Sequence, residues 1–530
     1  MKSAPVRISL VALAISLIGR LAIAQTPAAP VPAPEAAPPA APTPPAEAPP
    51  PPPPAPPIMV APEPPPPPPP AAPSAPITLT PLAHTTPSVS NPLVNVTSKF
   101  SATIYGFVEA DGIYDSTQTF NDLAGNAAIL HTPAPTTATP NPTPVYGAQN
   151  GRTTFSARNS RFGVKLKGPE TDTIKTSGIF ECDFLGNQPL TSPNPVGTPA
   201  VSEASFYTSP TFRMRHYALK LETPYIDLLA GQYWQLFGFQ SLFHPNTVEM
   251  QGIPGQIYSR SPQFRLSHTW KSDAVNVELA GAASRPPQRD SEVPDGQAGI
   301  RLAVNNWKGM HTAGAAGSAV DGLSIGFSTV GRYFKIPNLS GAPTKAVTIN
   351  GYGYSVDALI PVIPATDVNH PDNALTLTGS FVYGQAIADL YTGLSGGAAF
   401  ANPPANAAGV VPTYPQDVDN GLVAFTADGV LHAIRWESVL VGLQYYLPTP
   451  NRMWLSANYS HMYSSDIKAL ETPSNATKMF NKSDFVDGNL FVEANAAVRF
   501  GLEYAYFHQN FLDGSTGKNS RVQFSAFYIF

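Results

Sequence analysis

The 530-residue chain contains a single cysteine, Cys182. No intrachain disulfide can form, so the fold draws its stability from elsewhere even in an oxidising compartment. Nothing beside Cys182 recruits a nucleophile, and it reads as a packed side chain. Charge is scarce as well: 13% of residues are charged and the net charge is −5, which leaves no footprint for nucleic acid. After residue 24 there is no apolar run long enough to cross a membrane as a helix, which excludes a multi-helix membrane protein. It does not exclude a β-barrel, whose lipid-facing residues come one in two along each strand.

What the sequence does contain begins with an export signal. "MKSAPVR" is a short basic region, "ISLVALAISLIG" is apolar, and "AIA" (Ala22 to Ala24) supplies small residues before Gln25. Residues 1–24 therefore read as a cleaved secretory signal peptide. A retained membrane helix would need about 20 apolar residues, and Arg20 interrupts this run. Residues 25–98 form a Pro/Ala-rich extension followed by a polar linker from Ile77 to Ser98. Such a composition cannot pack a core and favours polyproline II. At roughly 3.1 Å per residue its Pro-rich part could reach on the order of 150 Å, enough for a spacer or a periplasmic arm that touches the cell wall.

From about Thr103 to the end the pattern has period 2, and helical periodicity is nearly absent. "SRFGVKLKG" sets Phe162, Val164 and Leu166 on one face against Arg161, Gly163, Lys165 and Lys167 on the other. "AVRFGLEYAYF" sets Val498, Phe500, Leu502, Tyr504 and Tyr506 against Arg499, Gly501, Glu503, Ala505 and Phe507. Sixteen such strands are expected, near 103–115, 158–168, 174–186, 212–222, 225–235, 262–270, 274–283 and 297–305, then 322–333, 347–359, 374–387, 431–447, 452–463, 485–494, 496–509 and 519–530.

The connections favour a membrane barrel. "PETDT", Thr223–Pro224, "KSD", "PTPN" and Asn495 are short, whereas 116–157, 187–211, 236–261, 388–429 and 464–484 are long. Short periplasmic turns alternating with long outer loops is the transmembrane-barrel rule. Connections 306–321 and 360–373 are longer than that rule prefers. A soluble sandwich or propeller would not alternate loop lengths, nor place so many of the 21 Tyr and 27 Phe at strand ends. The expected fold class is all-β: a sixteen-stranded antiparallel transmembrane barrel over 99–530, preceded by a Pro-rich disordered extension.

Sixteen strands leave an aqueous lumen. The segment "LFGFQSLFHPNTVEMQGIPGQIYSRS" (236–261) is too apolar for a solvated loop, with Phe237, Phe239, Leu242, Phe243, Met250 and Ile253, and is the candidate constriction. Its Phe239, His244, Glu249, Gln256 and Arg260 are candidate constriction residues. Arg161, Lys165, Lys167, Arg213, Arg215 and Arg265 fall on the inward parity and are candidate pore-lining residues that favour anionic solutes. Pairing with Glu181, Asp183 or Glu249 is the bland alternative. Arg213→Glu with Arg215→Glu is the corresponding test of selectivity.

"IYGFVEADGIYD", "ARNSRFGVKLKG" and "LLAGQYWQLFG" resemble the opening strands of gram-negative porins. The loop after "GQYWQLF" most resembles the DcaP-like branch. The resemblance covers the barrel and implies a trimeric sixteen-stranded outer-membrane porin admitting small, often negatively charged compounds such as dicarboxylates. The Pro repeats depart from the coiled-coil-like N-terminal segment of that branch. The terminal "RVQFSAFYIF" also resembles the ending of outer-membrane barrels, with Phe524, Tyr528 and Phe530 as an assembly signal and strand sixteen closing on strand one. A structural anchor whose Pro-rich arm contacts the cell wall is the competing reading. His216, His268, His432, His461 and His508 lie on strands and His244 on the loop, but none recruits a nucleophile or has helical metal-ligand spacing, so neither an enzyme nor a metal or other cofactor is expected.

Overall fold

The computed structural model describes residues 100–124, 128–186, 203–240, 242–249, 251–287, 291–313, 317–338, 342–371, 373–392, 421–426, 428–449, 452–470, 476–477 and 479–530. The expected signal peptide and Pro-rich extension lie outside the described residues, as does Met250.

Sixteen strands form the wall. They are β1 (Ser101–Asp115), β2 (Arg161–Lys167), β3 (Lys175–Gly186), β4 (Thr211–Glu222), β5 (Asp227–Trp234), β6 (Arg260–Lys271), β7 (Val275–Ser284) and β8 (Asp295–Thr312), followed by β9 (Ser318–Pro337), β10 (Ala346–Ile363), β11 (Leu375–Gln385), β12 (Arg435–Leu447), β13 (Met453–Tyr463), β14 (Phe480–Glu493), β15 (Val498–Phe511) and β16 (Thr516–Ile529). Each pairs antiparallel with its neighbours in sequence, and β1 pairs with β16 from Phe107↔Ile529 to Asp115↔Arg521, so the sheet closes. A further piece, Arg152–Ser156, continues the second strand against the outer half of β1. Closure removes both edges, the only way a sheet satisfies its backbone in hydrocarbon.

Side chains alternate as a membrane barrel requires. Val522, Phe524 and Tyr528 are exposed on β16, while Arg521, Gln523, Ser525 and Phe527 between them are buried. Exposed aromatics mark both rims: Tyr225, Trp270, Phe500 and Tyr528 near the short turns, and Tyr114, Phe155, Phe212 and Phe264 towards the long connections. Connections 306–321 and 360–373 shrink to 313–317 and 364–374, because β8, β9 and β10 run further than their apolar alternation. The extra residues of β8, such as Trp307, Lys308 and His311, break the period-2 signal while keeping the ladder to β9 across a bulge at Gly322/Leu323.

The last residue is part of the seam. Phe530 N–H donates to Gly106 O and Gly106 N–H to Phe530 O, both at 3.0 Å. Phe527, inward near the end of β16, packs edge-on against Phe107 at 6.2 Å between centroids. Deleting Phe530 is expected to lower the amount of heat-modifiable folded protein in membrane fractions. The barrel that does assemble should keep its thermal transition to within a few degrees, because it loses only the final pair of seam hydrogen bonds.

Candidate constriction and its charged walls

The connection after β5 folds into the barrel. Near its start, Phe237 N–H donates to Gln297 Oε1 on β8 (2.9 Å) and Gly238 N–H to Ser328 Oγ on β9 (2.8 Å). Its middle reaches β13 to β15: Asn246 O accepts from Ser456 and Asn458, Val248 N–H donates to Asn489, and Glu503 accepts from Thr247 Oγ1 (2.7 Å) and Glu249 N–H (2.9 Å). Gln251 then donates to Asn159 beside β2, at 3.2 Å. A segment this short touches three separate arcs of a cylinder only by crossing its interior.

The sequence explains the path. Gly238 (φ 80°) and Phe239 (φ 40°) adopt left-handed backbone in succession, turning the chain sharply inward. The Phe239 ring occupies space that wall residues without side chains leave open: a Cβ on Gly299 or Gly326 would lie 2.8 and 2.9 Å from it. Gly326→Val is therefore expected to push this turn off the wall and change single-channel conductance, while neighbouring strands keep their ladder.

The candidate residues separate into groups. Arg161, Arg213 and Arg215 come together with Arg260 around Glu181 and Asp183. Arg213 makes a bidentate contact with Asp183 (2.9 and 2.6 Å), and Arg215 bridges Glu181 (2.7 Å) and Asp183 (3.0 Å). Arg161 Nε stands 3.8 Å from Glu181 and its guanidinium lies over the Phe107 ring. Arg260 stacks over Trp234 and Tyr258, at 5.0 and 5.8 Å, with Nη1 buried and unpaired. Four guanidinium groups thus face two carboxylates, leaving a positive excess on this arc. A bulge concentrates it: His216 pairs with Glu181 and Met214 with Cys182, so Arg215 is the extra residue and both Arg215 and His216 are buried inside.

Arg265 faces the interior beside this cluster but is spent on Gln263 Oε1 and Trp234 O. Lys165 and Lys167 are exposed towards the short-turn end of β2, with Lys165 over the Tyr105 ring, and they stand apart from the arginines. On the infolded segment, His244 is buried, its Nδ1 bonded to Pro245 O, and burial holds the imidazole down at about 4, so it carries no charge at neutral pH. Gln256 accepts from Ile253 N–H and pairs through its carbonyl with Thr392.

The adjoining arc, β15 through β16 to β1, is acidic. Glu109, Asp111, Asp115 and Glu503 are buried together with Glu249, and Arg521 is their main counter-charge, bonding Asp115 twice (3.0 and 2.8 Å) and Glu249 (3.1 Å). Both carboxylate oxygens of Glu109 are buried without a hydrogen-bond partner. Among the described residues no group of three or more His, Cys, Asp or Glu is arranged to hold a metal ion. The signal for this arc was present in "VEADGIYD", where Glu109, Asp111 and Asp115 share one parity. Other inward packing comes from Ala386–Thr392 and Leu422–Ile434, which bury Phe425, Tyr391 and Leu422 against Phe237, Phe334 and Trp436.

Burial, helped by the nearby Glu503 and Asp111 charges and opposed by Arg521, pushes the Glu249 carboxyl from 4.5 up to about 8. Docking the segment then takes up a proton between those values. Docking should weaken as pH rises from about 5 to about 8 and level off above. Open-channel current noise is expected to be larger at pH 8 than at pH 5, and Glu249→Gln should remove that difference.

No protein-family model matches the chain, and no curated protein sequence matches it. Among solved structures it is similar to the outer membrane channel DcaP of Acinetobacter baumannii, with 17% identity over 82% of this chain and 99% of that chain and a TM-score of 0.57. It also aligns with the anion-selective porin from Comamonas acidovorans (9% identity, 81% and 100% of the two chains, TM-score 0.44) and with OmpT of Vibrio cholerae (11%, 82% and 100%, TM-score 0.42). The likeness to the DcaP structure is one of fold, a closed antiparallel β-barrel.

Proposed function

We propose that the protein is an outer-membrane porin, a passive channel for small hydrophilic solutes with a preference for anions that carry carboxylate groups. The observation that carries this reading is the arginine-rich arc beside the infolded segment. Arg161 and Arg260 are not closed into tight ion pairs, and guanidinium groups offer a carboxylate two parallel N–H donors. With acids on the adjoining arc, a solute in the narrowed lumen meets positive and negative walls side by side, which orient it by charge.

In this reading the long connections face outwards, the short turns face the periplasm, and three copies assemble, as the resemblance to DcaP-like porins implies. Residues 1–24 direct export and 25–98 form the periplasmic extension. The test is swelling of liposomes containing the purified protein in a panel of dicarboxylates, diamines and neutral sugars of matched size. Faster swelling with the dicarboxylates is expected. No swelling with any solute would remove the channel reading and favour a structural anchor, and fastest swelling with diamines would reverse the assigned charge preference.

A further inference from the structure

The last four strands carry a polar row on the outside of the barrel. Their register aligns His461 on β13, Asp484 on β14, His508 on β15 and Lys518 on β16 as cross-strand neighbours. These residues share parity with the exposed Tyr459, Val486, Tyr504 and Val522, so they point away from the lumen. Asp484 gathers its neighbours: His461 Nδ1 at 2.7 Å, Tyr459 Oη at 3.2 Å, Lys482 Nζ at 3.3 Å and His508 Nδ1 at 3.6 Å. One carboxylate thus faces one lysine and two imidazoles, each imidazole with a second ring nitrogen to offer, and Lys518 stands cross-strand from His508. Glu437 shares the outer face one strand further on, opposite Tyr463.

The level of this row matters. It lies within a few residues of the ends of β13 and β14 that lead to the long connection 464–479, and of the ends of β15 and β16 on the same rim, just beyond exposed Tyr459 and Tyr504. Charge on a lipid-facing surface is tolerated near the interface and expelled from the hydrocarbon, and tyrosines mark that boundary. At another outer-face position near this rim, Lys335 is closed by a pair with Glu292. The row on β13 to β16 instead keeps a surplus of donors where lipid headgroups lie.

We infer that this row docks the phosphate of a lipid headgroup in the leaflet that meets the long connections. Lys482, Lys518 and the second nitrogens of His461 and His508 supply point charges and N–H donors to phosphate oxygens, with Asp484 holding the imidazoles in place. The inference rests on the barrel standing in a membrane but not on which solute passes through it.

Native mass spectrometry of the purified full-length protein tests it, with three probes: a bisphosphorylated lipid A, its dephosphorylated counterpart and inorganic phosphate. Retention of the phosphorylated lipid is expected, and Lys482→Gln with Lys518→Gln should weaken it about tenfold. Heat-modifiability and conductance of that variant should match the parent, because both residues lie outside the lumen. Three results would overturn the inference: equal retention of the dephosphorylated lipid, no change in the double variant, or equal competition by free phosphate. Spontaneous disulfide linkage of two His508→Cys chains in vesicles would make the row a contact between copies and also overturn it. Failure of the parent to insert into vesicles would strike the membrane reading itself, which the measurement in detergent distinguishes.

Discussion

Neutralising the two least-paired arginines, Arg161→Gln with Arg260→Gln, is expected to lower the anion-to-cation permeability ratio about tenfold at low salt. A unit charge about 8 Å from the ion path contributes roughly 0.5 kcal/mol in water. Two such charges removed raise the barrier for an anion by about 1 kcal/mol and lower it for a cation by the same amount, before screening trims the effect. The choice of residues matters. Arg213 and Arg215 are committed to Asp183 and Glu181, and reversing them would set buried carboxylates against one another, at a cost of about 3–5 kcal/mol to the fold. Selectivity and misfolding would then be confounded, so the substitution suggested by the sequence gives way to the Arg161/Arg260 pair. The zero-current potential of the double variant measured beside the parent checks the direction, and an unchanged potential would take the cluster off the conduction path.

Excising the infolded segment should raise single-channel conductance several-fold. Gln235 N–H donates to Ser259 O at 3.0 Å, so the two ends already meet at the base of the loop. Residues between Leu236 and Tyr258 can be replaced by a short Gly/Ser turn without pulling β5 and β6 apart. The wall is held by ladders between sequence neighbours, and the groups uncovered by excision, such as Gln297, Ser328, Asn489 and Glu503, are polar and can take water. Heat-modifiability should therefore survive. Unchanged conductance with an intact barrel would move the narrowest point to the other inward segments, Ala386–Thr392 and Leu422–Ile434.

The wall was largely legible in the sequence because lipid imposes one rule on every strand. An outward residue must be apolar, so "SRFGVKLKG" and "RVQFSAFYIF" reveal side, span and seam together. The interior obeys no such rule. Parity puts Arg213 and Arg215 inside, but not the bulge that brings His216 in beside them, because a bulge is a one-residue slip with no residue signature of its own here. Nor does parity distinguish an arginine locked onto Asp183 from one stacked over Trp234, since partners come from strands far apart in sequence. The segment 236–261 betrays itself as infolded by its phenylalanines. Its route depends on gaps at Gly299 and Gly326, in strands unrelated to it in sequence. The acidic arc was readable in part from "VEADGIYD", whereas Glu249, Glu503 and Arg521 join it only through the closed fold.

A narrowed lumen with a positive bias would show itself in the zero-current potential. The purified protein is placed in a planar bilayer between unequal concentrations of KCl, and the potential at which current vanishes is read. A potential of the sign set by chloride moving down its gradient is expected, shrinking as salt rises on both sides. A potential of the sign set by potassium would mean that the lumen favours cations and that the arginine arc does not govern passage.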